Sequence, residues 1–379
     1  MIFFLCAAAA LYVIVGFPVL LAMQARWRNK AVAAAPFHAT VSILLPVHNG
    51  ERWLEQKLEN LLVLDYPREL IEIFVISNAS TDRSEEIAAR FPVKLLRIPE
   101  SGKARALNEA LQHASGEILF FTDVRQPLDA QALRYLVNCF ADPQVGVATG
   151  ELHIQDGQTH EEANVGLYWL YEKWIRKRLS RVDSVLGATG CIYAMRRALA
   201  QALPPDTLLD DVHLPMQAFF AGYRIVMEER AEAYDSPTGL EQEFARKVRT
   251  QAGVYQLIGQ FPRLLWPGTR MWLHFVSYKF GRLLLPFFFV GMLAGSFWLP
   301  GPWRMAALGA QLLFYALAWV NRWLPDGWVF KRISAPISAF VVLVGAALCA
   351  VSIWFVPAEK LWKQLPRRNR LPKGRPRRG

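Results

Sequence analysis

The chain has 379 residues, of which 53% are hydrophobic, 12% aromatic and 20% charged. This composition excludes a disordered chain, and four widely separated cysteines exclude a disulfide scaffold and a zinc site of the usual spacing. The formal net charge is +11, but a basic tail at residues 359–379 holds most of it. Because the excess is confined to this tail, we expect it to lie on anionic lipid and expect no nucleic-acid partner.

The first 25 residues carry no charged side chain and are long enough to cross a bilayer, which takes about 20 mostly apolar residues. No Lys or Arg precedes this run, whereas Arg26, Arg28 and Lys30 follow it. A secretory signal peptide has the opposite order, although residues 31–33 resemble a cleavage site. We therefore predict a transmembrane helix at residues 1–25, with its N-terminus outside and the next segment in the cytoplasm.

Between residues 38 and 255, short apolar runs alternate with helix-like segments. The predicted strands cover residues 41–45, 71–76, 93–98 and 117–121, and the predicted helices cover 51–62, 83–90 and 103–112. This alternation is typical of an α/β domain with a Rossmann-like, mostly parallel sheet. Such sheets bind ligands at the carboxyl ends of their strands, so we expect the functional site there.

Polar segments stand at these expected positions. They are residues 46–51 (PVHNGE), 77–82 (SNASTD), 101–108 (SGKARALN) and 122–125 (TDVR). Taken singly, each has an ordinary structural explanation, because Ser-Thr-Asp can cap a helix, the Gly-Lys pair lacks the Walker spacing, and an Asp after a strand is often a turn residue. Their order and placement together indicate a binding site.

The last part of the chain is again apolar. Residues 256–282 mix aromatic with basic side chains, which predicts a helix along the membrane surface or an ordinary amphipathic helix of the domain. Residues 283–358 contain three uncharged runs, at 283–303, 305–321 and 333–358, and are predicted to form transmembrane helices. Three crossings would place the basic tail outside, against the positive-inside rule. Either one late segment lies in the interface, or the tail is translocated despite its charge.

Taken in order, the motifs resemble those of membrane-bound glycosyltransferases of family 2, which include cellulose, hyaluronan and poly-N-acetylglucosamine synthases. The resemblance covers about residues 38–280 and the flanking membrane helices. Its seven elements are residues 46–51, 77–82, 102–108, 122–125 at the family's Asp-x-Asp site, 187–196 (GATGCIYAMR), 209–214 (LDDVHL) at Thr-Glu-Asp-x-x-Leu, and 246–250 (RKVRT) at Gln-x-x-Arg-Trp. The resemblance implies a GT-A fold.

The resemblance implies that Asp211 is the general base that removes the acceptor proton, with Asp210 orienting it or contacting the acceptor. The alternative is that both carboxylates only cap a helix starting near Val212. Asp123 is the predicted ligand of a Mg²⁺ or Mn²⁺ ion on the diphosphate. The family's second acid at this site is Arg125 here, which predicts a direct contact of the guanidinium with phosphate and a metal site built differently from that of the family.

For the nucleotide sugar, the resemblance implies contacts from the early motifs and from the last one. The predicted set is Pro46, Asn49, Glu51, Asn78, Asp82, Lys103, Asp123, Arg125 and Arg249. Asn78 stands where the family has a base-contacting Asp. Lys103 and Arg249 are expected near the phosphates.

On the acceptor side, Gly190 and Arg246 are the predicted contacts. The family's Trp, which helps to place the end of a growing polymer, is Thr250 here. This difference puts processive synthesis in doubt. The alternative for the last motif is a basic helix face at the membrane.

The resulting prediction is an integral membrane protein of a bacterial-type inner membrane with a cytoplasmic catalytic domain. It is an inverting transferase that moves a sugar, UDP-linked, to a saccharide or lipid-linked saccharide in exopolysaccharide or cell-surface glycan synthesis. Polysaccharide-export proteins are candidate partners. One alternative is a sugar transferase acting on polyprenyl phosphate. The other is a non-catalytic partner of a synthase, suggested by Asn78, Arg125 and Thr250 and opposed by Asp123 and Asp211.

Overall fold

A computed structural model describes residues 1–154, 160–236, 240–325 and 328–357, with side chains for all of these except residues 160–168 and 240–242. The predicted basic tail at residues 359–379 lies outside the described residues.

The described part of the chain is organised around a seven-stranded mixed sheet. Its strands are β1 (Val41–Val47), β2 (Ile71–Asn78), β3 (Lys94–Ile98), β4 (Ile118–Thr122), β5 (Val145–Ile154), β6 (Ile192–Arg196) and β7 (Arg224–Asp235). The strand order is β3-β2-β1-β4-β6-β5-β7. Strand β6 runs antiparallel to its neighbours β4 and β5, whereas the other described pairings are parallel. The predicted mostly parallel α/β sheet is confirmed.

Helices cover the sheet and extend beyond it. They are α1 (Ile2–Trp27), α2 (Glu51–Leu62), α3 (Ser84–Ala88), α4 (Lys103–His113), α5 (Ala132–Asn138), α6 (His160–Val182), α7 (Asp210–Phe220), α8 (Leu240–Gln260), α9 (Trp272–Ser296), α10 (Gly301–Trp323) and α11 (Lys331–Trp354). Helix α2 has the predicted bounds, because Leu54, Leu58 and Leu61 repeat at helical spacing and bury one face. Helix α3 is shorter than predicted.

The two faces of the sheet bury separate apolar cores, as the alternation of side chains along a strand requires. Leu44 and Phe74 face one core together with Leu107 of α4. Ile43 faces the other core together with Leu58 of α2. The first core continues into the apolar helices at the end of the chain, so the domain and these helices share buried side chains.

In the part of the chain that the structure describes, four helices are long and apolar enough to cross a membrane, namely α1, α9, α10 and α11. Helix α9 begins at Trp272, well before the apolar run predicted at 283–303. Residues 256–282 therefore do not form one surface helix, since α8 ends at Gln260 and α9 takes up the last part. The physical reason is that Phe275 and Tyr278 are buried in the domain core and make this stretch part of a packed helix.

The end of α11 returns to the α/β domain. The Trp354 ring lies 6.5 Å from the Tyr255 ring of α8. Residues 353–357 line one surface pocket together with Asp206 and Gln256 of the domain. The last described residue, Pro357, thus lies beside the domain.

Candidate active site

The predicted site lies at one edge of the sheet. The parallel strands β1, β2 and β4 all end there, and antiparallel β6 starts there, where Ile192 pairs with Thr122. Asp123 follows β4 directly. Helix α7 begins at the same edge, because the Ala188 N–H donates to the Asp211 carbonyl oxygen at 2.7 Å. The fold therefore brings Asp123, which follows β4, and the two acids of α7 to one place.

Lys103 lies between two carboxylates for which the resemblance implied different roles. Its Nζ atom is 3.1 Å from Asp123 Oδ1 and 3.2 Å from Asp210 Oδ2. Burial alone would lower the pKa of Lys103, but the carboxylates of Asp123 and Asp210 raise it above its ordinary value. A cation in this position can bind the oxygens of a diphosphate that enters between the two carboxylates.

Asp211, the predicted general base, is half-buried beside Asp210. Burial and the Asp210 carboxylate raise the pKa of Asp211 to about 6, against the opposing effect of Lys103 and Lys279. Such a carboxylate is ionised at neutral pH and is basic enough to accept a proton from a hydroxyl during transfer.

The capping interpretation of the two acids does not hold in its simple form. Helix α7 begins at Asp210, not near Val212, and its N-cap residue is Leu209, which makes no side-chain cap hydrogen bond. Both carboxylates occupy the first turn, where the helix dipole favours negative charge. Neither acid is therefore the N-cap residue, although the position of both stabilises the helix.

A glycine-rich loop passes directly against Asp211. Gly187 has φ +125°, a conformation that favours glycine, and a side chain there would clash with Val212. A side-chain carbon at Gly190 would lie 3.1 Å from Asp211 Oδ2. Gly190, a predicted acceptor contact, thus leaves space beside the carboxylate.

The loops after β1 and β2 are tied together by reciprocal hydrogen bonds. Asn49 Oδ1 accepts the Thr81 N–H at 2.8 Å, and Asp82 Oδ2 accepts the Glu51 N–H at 2.9 Å. In return, Glu51 Oε2 accepts the Arg83 N–H at 3.1 Å. Three predicted donor-site residues therefore shape the edge of the site, and their contact with a nucleotide stays a prediction. Pro46 lies within β1 beside this loop.

Asn78 holds the start of α4 in place. Its Oδ1 atom accepts the Gly102 N–H at 2.7 Å, and the residue is buried. A base that contacted this oxygen, as the family's Asp does, would have to share it with Gly102. The contact also fixes Lys103, the next residue.

Arg125 turns to Asp235 at the end of β7. Its Nη2 atom lies 2.5 Å from Asp235 Oδ2, to which the Gln126 amide also donates at 2.8 Å. The predicted contact of Arg125 with phosphate would require it to leave this buried acid. Asp235 was not predicted as a site residue, because it lies 110 positions from Arg125 and belongs to no motif.

Two further buried groups near the site had no role in the sequence analysis. Burial lowers the pKa of Lys57, whose ammonium donates to the Gln126 carbonyl oxygen at 2.5 Å, to about 7. Burial, followed by the charges of Asp210 and Asp211, raises the pKa of Tyr193 well above its ordinary value. The Tyr193 hydroxyl makes no hydrogen bond with the described residues. Tyr193 lies within the motif at residues 187–196, but a single tyrosine in an apolar stretch gives no local signal of a role at the site.

Helix α8 brings the basic residues of the last motif to the site. Burial lowers the pKa of Arg249, with Asp211 and Asp210 opposing this effect. Arg246 instead forms an ion pair with buried Glu243 at 2.7 Å. Arg249 therefore lies within electrostatic range of the two carboxylates, and its contact with a diphosphate stays a prediction, while Arg246 is engaged within its own helix.

A divalent ion fits this site only with help from the substrate. Within the part of the chain that the structure describes, no three His, Cys, Asp or Glu side chains are placed to hold a metal. Mg²⁺ is, however, commonly bound by one or two carboxylates together with substrate phosphates. Asp123 can supply such a carboxylate, which it already shares with Lys103.

Residues 42–203 match the model of the family described as Glycosyl transferase family 2. Residues 42–203 form a glycosyltransferase family 2 domain. This confirms the family that the motifs indicated. The match ends before α7, so the roles of Asp210 and Asp211 depend on the geometry described above.

Curated relatives of the family 2 domain include two bacterial proteins. The probable glycosyltransferase YdaM of Bacillus subtilis is 25% identical over 203 residues, covering 49% of this chain and 48% of that protein. A poly-β-1,6-N-acetyl-D-glucosamine synthase of Staphylococcus epidermidis is 29% identical over 244 residues, covering 60% of this chain and 57% of the synthase. The chain spans about half the length of the curated relatives it matches.

Among solved structures, the chain is similar to the mannosyltransferase PcManGT from Pyrobaculum calidifontis, determined in complex with GDP-Man and Mn²⁺. The TM-score is 0.69 at 22% identity, covering 92% of this chain and 99% of that one. The likeness confirms the predicted GT-A fold.

Proposed function

We propose that this chain is an inverting glycosyltransferase that moves a sugar from a nucleotide sugar to an acceptor hydroxyl at a membrane. The observation that carries the proposal is Lys103 between Asp123 and Asp210, next to the half-buried carboxylate of Asp211. This arrangement holds a cation for a leaving diphosphate beside a base for an incoming hydroxyl. The family 2 domain and its relatives support the same chemistry.

In the proposed step, the acceptor oxygen attacks the sugar C1 atom from the side opposite the nucleotide. The bond between C1 and the diphosphate oxygen breaks, and its electron pair leaves with the nucleoside diphosphate. The hydroxyl proton passes to the Asp211 carboxylate. Lys103 and Arg249 stabilise the negative charge that leaves. A single displacement inverts the configuration at C1.

Asp123 is the residue that would hold Mg²⁺ or Mn²⁺ with the donor. Such an ion, when bound, neutralises diphosphate oxygens without a proton transfer. We propose a UDP-linked donor, and the poly-N-acetylglucosamine synthase relative supports a saccharide or lipid-linked acceptor in exopolysaccharide or cell-surface glycan synthesis. The donor contacts of Asn49, Glu51, Asn78 and Asp82 belong to this proposal.

We also propose that the enzyme resides in a bacterial-type inner membrane with the family 2 domain in the cytoplasm. The four apolar helices support the membrane location. Arg26, Arg28 and Lys30 lie at the domain end of α1, which supports the orientation. Export proteins remain candidate partners within this proposal.

The test measures nucleoside diphosphate release by the purified full chain with a panel of UDP- and GDP-sugars and membrane lipid extract, with Mn²⁺ and with a chelator. We expect one donor to give turnover that Asp211→Asn reduces at least about a hundredfold. Asp206→Asn is the matched control, because Asp206 is an exposed carboxylate that lines a separate pocket beside Pro357. Equal turnover in the two variants would remove Asp211 as the base. No turnover with any donor would favour the non-catalytic alternative.

A further inference from the structure

A cavity of about 350 Å³ lies where the candidate membrane helices meet the α/β domain. Eight of its twelve lining residues are apolar, among them Val13, Leu285 and Leu343. The other four are Tyr171, Lys247, Gln251 and Arg282. This volume lies within the usual range of small-molecule sites, roughly 300–1,000 Å³.

The apolar and the polar parts of the lining come from different helices. The apolar residues belong to α1, α9 and α11, which are candidate membrane helices. Tyr171, Lys247 and Gln251 belong to α6 and α8 of the domain, and Arg282 lies in the half of α9 nearer the domain. The cavity is therefore apolar towards the membrane and cationic towards the domain.

Each of the two cations at the polar end is paired with an acid. Lys247 Nζ is 3.7 Å from Glu243 Oε1, and Arg282 contacts Glu172. Burial lowers the pKa of Lys247 to about 8, so a further anion would stabilise its charged form. Arg246 pairs with the same Glu243 at 2.7 Å, so Lys247 shares its acid with a second cation.

Three helices connect the cavity to the catalytic site. Each of them carries one residue that lines the cavity and one residue at the catalytic site. The pairs are Arg176 and Tyr171 on α6, Arg249 and Lys247 on α8, and Lys279 and Arg282 on α9. Lys279 and Arg249 act electrostatically on Asp211. Arg176 donates to the carbonyl oxygens of the loop that passes Asp211, at 3.3 Å to Gly187. The polar end of the cavity is thus built from the same three helices that carry residues to the acceptor side of the site.

We propose that this cavity binds the acceptor, a saccharide carried on a single-chain polyprenyl-type lipid phosphate. The lipid chain lies between α1, α9 and α11, the phosphate is held by Lys247 and Arg282, and the sugar hydroxyl reaches Asp211. The inference rests on the proposed function and names its acceptor class. A bare sugar chain does not suit mostly apolar walls, because its hydroxyls would be buried without hydrogen bonds. A bare phosphate does not need the apolar part.

The test measures the Kd of farnesyl phosphate, a single-chain lipid phosphate, for the full chain in detergent. Leu343→Trp fills the cavity. Leu348→Trp is the matched control on the same helix, because Leu348 is 47% exposed and does not line the cavity. Lys247→Gln removes one head-group cation without adding bulk. Binding of UDP is measured on every variant.

We expect Leu343→Trp and Lys247→Gln each to raise the Kd of farnesyl phosphate by roughly tenfold or more, the loss expected for a charged hydrogen bond or a filled pocket. Leu348→Trp leaves it unchanged, and UDP binds all variants alike. Farnesol, which lacks the phosphate, should bind weakly and respond only to Leu343→Trp. An unchanged Kd in both cavity variants overturns the proposal, and so does displacement by an equal concentration of phosphatidylglycerol. If Asp211→Asn and wild type bind the lipid but neither transfers sugar, the proposed function fails and the lipid site stands.

Discussion

Replacing Lys103 tests how the candidate site is held together. Lys103→Met keeps most of the volume of the side chain and removes its charge. The change leaves the carboxylates of Asp123 and Asp210 without the ammonium that lies 3.1 and 3.2 Å away from them. The Asp210 side chain is only 8% exposed, so water cannot replace the lost partner there, whereas the 38% exposed Asp123 is partly solvated.

Removing one partner of a buried ion pair costs about 3–5 kcal/mol. Because only Asp210 is deeply buried, we expect Lys103→Met to lower the free energy of unfolding by about 3 kcal/mol. Lys94→Met is the control. Lys94 lies closer to its acid, 2.7 Å from Glu72, but its side chain is 60% exposed, so the loss should stay below about 1 kcal/mol.

The assay is urea unfolding of the full chain in detergent, followed by tryptophan fluorescence. A double variant, Lys103→Met with Asp210→Asn, removes the stranded charge and should recover about half of the loss. The same variants report on donor binding, since Lys103→Met should weaken UDP binding by roughly ten- to hundredfold. If Lys103→Met destabilises no more than Lys94→Met, the argument from burial is wrong. If Lys103→Met leaves the affinity for UDP unchanged, Lys103 does not bind the diphosphate.

Three further predictions follow from contacts at the same edge of the sheet. Since the pKa of Asp211 is raised to about 6, kcat should be flat above pH 7 and fall about tenfold per unit below pH 6, as its carboxylate takes up a proton; a flat profile to pH 5 would contradict its role as base. Gly190→Ala places a carbon 3.1 Å from Asp211 Oδ2 and should lower kcat about tenfold while the KM for the donor stays unchanged, whereas Gly259→Ala, in open space, should change neither. Arg125→Gln should lower the free energy of unfolding by about 1–2 kcal/mol, because its ion pair with Asp235 is lost, and should leave the donor KM within about twofold. A large rise in the donor KM without a loss of stability would instead support the predicted contact of Arg125 with phosphate.

The first half of the sheet was predictable because its signals are local. Strands β1 to β4 are short apolar runs ended by polar segments, and α2 shows its buried face as a leucine repeat. Strand β6 differs, since nothing in residues 192–196 reveals that it runs antiparallel between β4 and β5. That orientation depends on pairing between distant segments.

The same distinction applies to the site. The motifs identified Asp123, Lys103 and Asp210, but not that the ammonium would join the two acids, because this contact spans more than 100 positions. Arg125 was predicted to contact phosphate because it occupies a position in one of the motifs. Its actual partner, Asp235, lies at the end of a strand that local patterns did not reveal.

Because α11 returns to the domain, the number of times the chain can cross the membrane after leaving the domain is limited. A chain that leaves the domain at α9 and ends beside Asp206 at Pro357 is on its starting side again, which takes an even number of full passes. Three late helices cannot then all cross completely, which favours the alternative in which one late segment lies in the interface. In the proposed orientation, an even number of crossings agrees with the positive-inside rule, whereas three crossings would not.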